Sequence, residues 1–244
     1  MSLQPYWEER LRAAIAEFWK TRGKQSGRQG TKSGTRDAGN RTAVTGGKQM
    51  DGLVALVRDF LVDCGIDQSE IFCNHAVELP GWFRAEKKWD LVVVTKGQLI
   101  ATMEFKSQVG SFGNNFNNRT EESLGSATDI WTAYREGAFA LSQRPWLGYV
   151  MVLEEVPRSL NPVAVKEPHF PVFPEFRESS YAKRYEILMT KLVRERLYDS
   201  AALILSSQKS VGDGDYREPS AELSFEVLLN SLKARAITVA GASS

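Results

Sequence analysis

The chain has only two cysteines, Cys64 and Cys73, and two histidines, His75 and His169, in 244 residues. So few thiols exclude a disulfide scaffold and make a reduced, cytosolic setting the default. Cys64, Cys73 and His75 match no structural zinc spacing and lack a fourth ligand, and His169 stands alone. No apolar run approaches the ~18 residues of a membrane span, and the N-terminus lacks the charged-then-apolar layout of a signal peptide. The sequons at Asn40 and Asn118 therefore carry no meaning. There is no internal repeat. Gly46-Gly47-Lys48 is not a phosphate-binding loop, because the earlier glycine is missing and Gln49 stands where Ser or Thr is needed. Asp213-Gly214-Asp215 lacks the rest of a calcium loop. A net charge of +1 gives no sign of a polyanionic partner.

What is present is ordinary for a globular protein, 42% hydrophobic and 25% charged, with length for one large domain. The charge, however, is unevenly spread. Residues 20–49 carry Lys20, Arg22, Lys24, Arg28, Lys32, Arg36, Arg41 and Lys48 against a single acid, Asp37, with recurrent glycine and almost nothing apolar. Such a stretch cannot bury enough surface to fold alone. It reads as a flexible arm, either merely solvated or wrapping nucleic-acid phosphates. Neutralising about six phosphates would give a log–log salt slope of roughly −5.

The chemistry concentrates in 89–108. Leu91–Val94 and Leu99–Phe105 are apolar, β-branched runs joined by a tight turn at Lys96-Gly97. Alternation along the second strand puts Ile100, Thr102, Glu104 and Lys106 on one face, and Ala101, Met103 and Phe105 on the other. Asp90 opens the first strand, so a hairpin brings it beside Glu104 and Lys106. Two carboxylates this close repel unless a cation lies between them, and hard oxygen ligands suit magnesium. Lys106 can orient or deprotonate a water, or stabilise charge on a phosphate under attack. Asp90, thirteen intervening residues, then Glu104-Phe105-Lys106 resembles the PD-(D/E)XK nuclease motif, with Trp89 where that family often has Pro. Glu70, Glu78 and Glu86 are each candidates for a third acidic ligand.

The following residues are more specific. Lys106-Ser-Gln-Val-Gly-Ser-Phe-Gly-Asn-Asn-Phe-Asn-Asn-Arg-Thr-Glu-Glu122, continuing through Leu124-Gly-Ser-Ala-Thr-Asp-Ile-Trp-Thr-Ala-Tyr-Arg-Glu-Gly137, resembles the type II restriction endonucleases of the XhoI family. The resemblance is strongest over 88–139 and extends over most of the chain. It implies a magnesium-dependent bacterial, cytoplasmic homodimer that cuts both strands of CTCGAG after the first C, leaving 5′ overhangs. It also implies a methyltransferase in the same cell that protects its sites. Asp90 and Glu104 would ligate Mg2+ with the Phe105 carbonyl, and Lys106 would position or activate water.

Around this site, 107–118 reads as a Gly- and Asn-rich loop. Gln108, Asn114, Asn115, Asn117, Asn118 and Arg119 carry the right groups for base edges, with Arg28, Lys32, Arg36 and Arg41 of the arm on phosphates. The same Asn and Gly residues also suit ordinary turns and a helix cap. Lys87 and Lys88 read as surface cations able to touch a phosphate.

Apolar periodicity predicts helices over 5–21, 50–64 (capped by Gly65), 120–141, 181–198 and 220–235. It also predicts strands over 71–79, 146–153 and 201–206. The expected fold class is mixed α/β, a restriction-endonuclease-like core with a central mixed sheet flanked by helices, in one domain spanning 1–244 with the catalytic core at about 70–155. Two other readings stay open here. One is a repair or recombination nuclease of the same fold; the other is a non-catalytic DNA-binding protein that uses the basic arm.

Overall fold

The computed structural model describes residues 4–29, 48–140 and 142–241. Its first helix, α1 (Pro5–Gln29), buries Trp7, Leu11, Ile15, Phe18 and Trp19, spaced as one helical stripe. It runs eight residues beyond the expected end at 21. Lys, Arg and Gln propagate a helix well, and isolated glycines such as Gly23 cost only about 1 kcal/mol each. The first third of the basic arm is therefore helical. Lys32, Arg36 and Arg41 lie outside the described residues, as does the side chain of Arg28.

The second helix, α2 (Asp51–Asp63), packs Leu53, Leu56, Val57 and Phe60 against α1. Gly65 adopts φ +94° just past its end, the left-handed conformation that closes helices. Arg10 of α1 donates to the Asp59 carboxylate of α2, as does Arg58. Burial pushes the Asp59 carboxyl up, but the two guanidiniums outweigh burial and hold it below the usual range. A depressed folded-state pKa contributes stability above the unfolded value of about 3.9 and loses it as pH falls through the folded value. Arg10 and Asp59 stay 33% and 29% exposed, so screening limits the pair to ~0.5–1 kcal/mol. Asp59→Asn is expected to lower the melting temperature at pH 7 by roughly 2–4 °C. In a pH series of thermal melts, the gap from the wild type should close below about pH 3.

Five strands form the central sheet: β1 (Ile71–Cys73), then, past a separate hairpin β2 (Glu78–Pro80) and β3 (Glu86–Lys88), β4 (Leu91–Thr95), β5 (Gln98–Gln108), β6 (Trp146–Glu154) and β7 (Ser200–Ser206). The order is β1-β4-β5-β6-β7. β4 runs antiparallel to both β1 and β5, while β6 lies parallel to β5 and β7 parallel to β6. The expected strand over 71–79 is thus broken in two, because Asn74 and Ala76 take left-handed conformations, at φ 69° and 53°.

At the predicted turn, Lys96 and Gly97 have φ 51° and 75°, the paired positive values of a two-residue hairpin matching strand twist. Val93 pairs with Ala101 but Val94 with Leu99, so Ile100 is an extra residue. The bulge resets the alternation. Ile100 packs with Met103 and Phe105, while Leu99 joins the opposite core, which corrects the expected face of Ile100. Beyond the bulge, alternation holds.

Helix α3 (Phe112–Arg135) follows β5 after a short turn in which Gly110 and Ser111 both have positive φ. The predicted loop over 107–118 is therefore the last two residues of β5, a three-residue turn and the first two turns of the helix, which ends at 135, not 141. Asn and Gly are weak helix formers. Here tertiary packing overrides them: Phe112 is buried, and Phe116 meets the rings of Tyr181 and Tyr185. Helix α4 (Tyr181–Arg194) and helix α5 (Phe225–Gly241) complete the set. α1, α2 and α5 cover one face of the sheet; α3 and α4 cover the other. The cations of α4 are engaged locally, Lys183 with Glu186, Lys191 with Glu175 and Arg194 with Glu222.

Candidate active site

Asp90 sits just before β4, level with the point where β5 outruns it. Its main-chain amide donates to the Met103 carbonyl at 3.2 Å. Its Oδ2 accepts from the Phe105 amide at 2.7 Å. The strand offset thus replaces a missing ladder partner with a carboxylate, which fixes Asp90 beside Glu104. Glu104 projects toward the α3 side and is 1% exposed. Its Oε1 receives Lys87 Nζ at 2.6 Å and Lys106 Nζ at 3.3 Å. The Tyr198 hydroxyl lies 3.2 Å from its Oε2.

Electrostatics separate the two carboxyls. Burial pushes Asp90 up and Glu104 pushes it further, against Lys106 and the Phe105 amide. Burial also acts to raise Glu104, but Lys106 and Lys87 outweigh it and hold this carboxyl below the usual range. For Lys106, burial acts to remove the charge, yet Glu104 and Asp90 more than compensate. Lys106 is accordingly held as an ammonium.

These residues line a cleft of about 740 Å3. Among the described residues, six cations border it (Arg22, Arg84, Lys87, Lys88, Lys106 and Arg119) against the carboxylates Asp90, Glu104, Glu121 and Glu122. A cationic excess around an acidic pair, one member buried and one half-buried, suits a polyanion whose reacting phosphate meets a metal. Glu70, Glu78 and Glu86 do not border the cleft. Glu70 accepts from the Thr95 hydroxyl at the far end of β4, Glu78 from the Val77 amide, and Glu86 is exposed on β3. The acids that do face it come from α3. No group of three or more metal-ligating His, Cys, Asp or Glu side chains converges among the described residues. The donors in place are two carboxylates and the main chain of Phe105, whose ring is buried in the core. That set fits a hard divalent cation that keeps several waters, as magnesium does.

The base-reading candidates separate. Asn114, Asn115 and Arg119 border the cleft; Asn117 and Asn118 are exposed on α3 outside it. Arg119 is ion-paired with Glu122 one turn on. Gln108 is buried, and both ends of its amide are taken. Its Nε2 donates to the Gly110 and Ser111 carbonyls at 3.1 Å, and its Oε1 accepts from Tyr185. It also lines the cleft, and its amide shapes the turn into α3. Two contacts of Glu104 were not foreseen from sequence. Lys87 read as a surface cation able to touch a phosphate, and Tyr198 lies 94 residues from the carboxylate it meets. Lys87 is instead 12% exposed in its side chain and lies over the Trp89 ring at 4.4 Å. Its nearness to Asp90 was the sole signal; Tyr198 carried none.

Comparison with known proteins gives the family. Residues 29–218 match the family model of restriction endonuclease XhoI. The type II restriction enzyme BstVI of Geobacillus stearothermophilus is 53% identical over 211 residues, 84% of this chain and 94% of that protein. The type II restriction enzyme AbrI of Azospirillum brasilense is 48% identical over 166 residues, 67% of this chain and 74% of that protein. The type II restriction enzyme XhoI of Xanthomonas vasicola is 38% identical over 190 residues, 77% of this chain and 75% of that protein. No solved structure matches significantly. With its acidic pair and lysine set on the hairpin of a mixed sheet, and with the family model spanning most of its length, the chain belongs to the XhoI family of type II restriction endonucleases, which are site-specific deoxyribonucleases.

Proposed function

We propose that the enzyme hydrolyses both strands of double-stranded DNA at CTCGAG, cutting after the first C and leaving 5′ overhangs, with Mg2+ as its cofactor. The observation that carries the chemistry is the buried Glu104 carboxylate flanked by Asp90 and Lys106 at the floor of a cationic cleft. The recognised sequence rests on the family resemblance.

Asp90 and Glu104, with main chain of Phe105, would hold the metal. When bound, Mg2+ supplies charge stabilisation at the phosphate and lowers the pKa of a coordinated water. Lys106 would position or activate the attacking water and stabilise charge on the phosphate under attack. Water oxygen bonds to phosphorus as the bond to O3′ breaks. The proton lost by water ends on O3′, giving a 3′-hydroxyl and a 5′-phosphate. Lys87, which reaches Glu104 at 2.6 Å, would supply a second cation for phosphate.

A palindromic site calls for a two-fold homodimer, each subunit cutting one strand. The basic arm, with Arg28, Lys32, Arg36 and Arg41, would close on phosphates as an appendage of a single domain. The enzyme acts in the bacterial cytoplasm, where a partner methyltransferase protects the host's own sites.

The test is digestion of unmethylated plasmid carrying one CTCGAG site, with magnesium and with EDTA. A single linear product with magnesium alone, its ends mapping to that site, is the expected result. Smears or cuts at DNA structures would point to a repair-type nuclease. Intact plasmid with a retained gel shift would point to a binding protein without catalysis.

A further inference from the structure

Five of the six tryptophans (Trp7, Trp19, Trp89, Trp131 and Trp146) are buried to 8% exposure or less. The sixth, Trp82, is 54% exposed, and its neighbour Phe83 is 70% exposed. They form the tip of the β2–β3 hairpin. This exposure is built into the fold. Asp129 of α3, 2% exposed, accepts from the Trp82 and Phe83 amides, both at 2.8 Å, through Oδ1. Its Oδ2 pairs with Arg84 Nε at 2.7 Å. A Cβ on Gly81 would come 2.5 Å from the same oxygen, so the tip and α3 fit too closely for any larger residue there. A buried carboxylate with three donors, two main-chain and one guanidinium, sets the rings facing outward. A solvated turn needs no such anchor.

The hairpin's location states its partner. Arg84, directly after the rings, borders the cleft, as do Lys87 and Lys88 of β3. β3 then runs through Trp89 into Asp90. Exposed rings flanked by cations on the rim of a phosphate-binding cleft match the chemistry of DNA, whose bases offer π-faces and whose backbone offers negative charge.

We propose that the Trp82–Phe83 tip is a wedge that packs against bases of the duplex seated in the cleft, with Arg84 on the adjoining phosphate. Through β3 it couples base contact to the position of Asp90. The proposal rests on the DNA-cleaving reading above.

It is tested with the full-length enzyme and metal-free CTCGAG duplexes bearing 2-aminopurine at successive positions in and beside the site. Binding of the wild type should raise fluorescence at one or two positions, where a base loses its stacking partner. Trp82→Ala/Phe83→Ala should abolish that rise and weaken binding by roughly 5- to 150-fold per ring in contact. Trp82→Phe/Phe83→Tyr should restore most of both. Asp129→Asn keeps both rings but loosens the tip, and should reduce the fluorescence change. No responsive position, with the double variant binding within twofold of wild type, would overturn the wedge while leaving the nuclease reading intact. A double variant that light scattering shows to be monomeric beside a dimeric wild type would reassign the tip to a second copy of the chain. Wild type that binds no duplex at all would remove the nuclease reading and the wedge together.

Discussion

Glu104→Gln is expected to reduce DNA cleavage by roughly a thousandfold or more while leaving binding in place. The substitution keeps the volume of a side chain that is 1% exposed, so the core beneath it is undisturbed. What it removes is an anionic oxygen ligand in a set that holds only one other carboxylate among its side chains. A bound metal supplies several kcal/mol of transition-state stabilisation, and each 1.36 kcal/mol is tenfold in rate. A further result separates this from general damage. Without metal, Glu104 repels phosphate and occupies Lys87 and Lys106. Its neutral replacement frees both cations, so metal-free DNA affinity should rise above that of the wild type. Stability should fall by less than the ~3–5 kcal/mol of a fully buried broken pair, because Lys106 keeps 24% of its side chain exposed. Single-turnover cleavage, metal-free gel shifts and thermal melts read the three effects. Cleavage within threefold of wild type would show that Glu104 holds no catalytic metal.

Lys106→Met should cost about 100- to 1,000-fold in the chemical step, the range for removing one donor aimed at developing charge. Metal affinity should hold or improve, since Asp90 and Glu104 lose a competing cation. Lys106→Arg should recover part of the loss at most, because a planar guanidinium cannot occupy the place of a compact ammonium. Lys87→Met is the informative comparison. Lys87 makes the shorter contact to Glu104, 2.6 Å against 3.3 Å, but it reaches in from the neighbouring hairpin and is free to turn to phosphate. Its loss should weaken cleavage less than that of Lys106, and the two should differ in magnesium titrations of single-turnover rate. Equal losses in both variants would mean that the lysines act only through the charge of the pocket.

The β4–β5 hairpin and its turn were legible in the sequence, Ile100 excepted. Lys96-Gly97 as a turn brings Asp90 near the end of β5, and the bulge at Ile100 then shifts the register by one so that Asp90 lies level with Glu104 and not with Met103. Other parts resisted. The Asn- and Gly-rich run after β5 has the composition of a loop, but Phe112 and Phe116, a turn apart, found aromatic partners on α4 that no local rule reveals. Gln108 has the chemistry of a base reader, and its hydrogen bond from Tyr185, 77 residues away, could not be read from the sequence. Ile100 departs from the expected alternation because a bulge, invisible in apolar patterning, inserts it.

Sequence alone determined the reaction class: an acidic pair and a lysine carried on one hairpin, and a block of residues from Lys106 to Gly137 that marks the family. These are local in the chain, so their spacing is set by strand geometry. Tertiary structure alone decided which cations and acids share the cleft. Lys87 became a partner of Glu104, Glu121 and Glu122 came to border the cleft while Glu70, Glu78 and Glu86 did not, and Asp129 turned two aromatic rings outward. Each of these depends on how α3 and the β2–β3 hairpin dock beside the sheet, a matter of packing between elements distant in sequence.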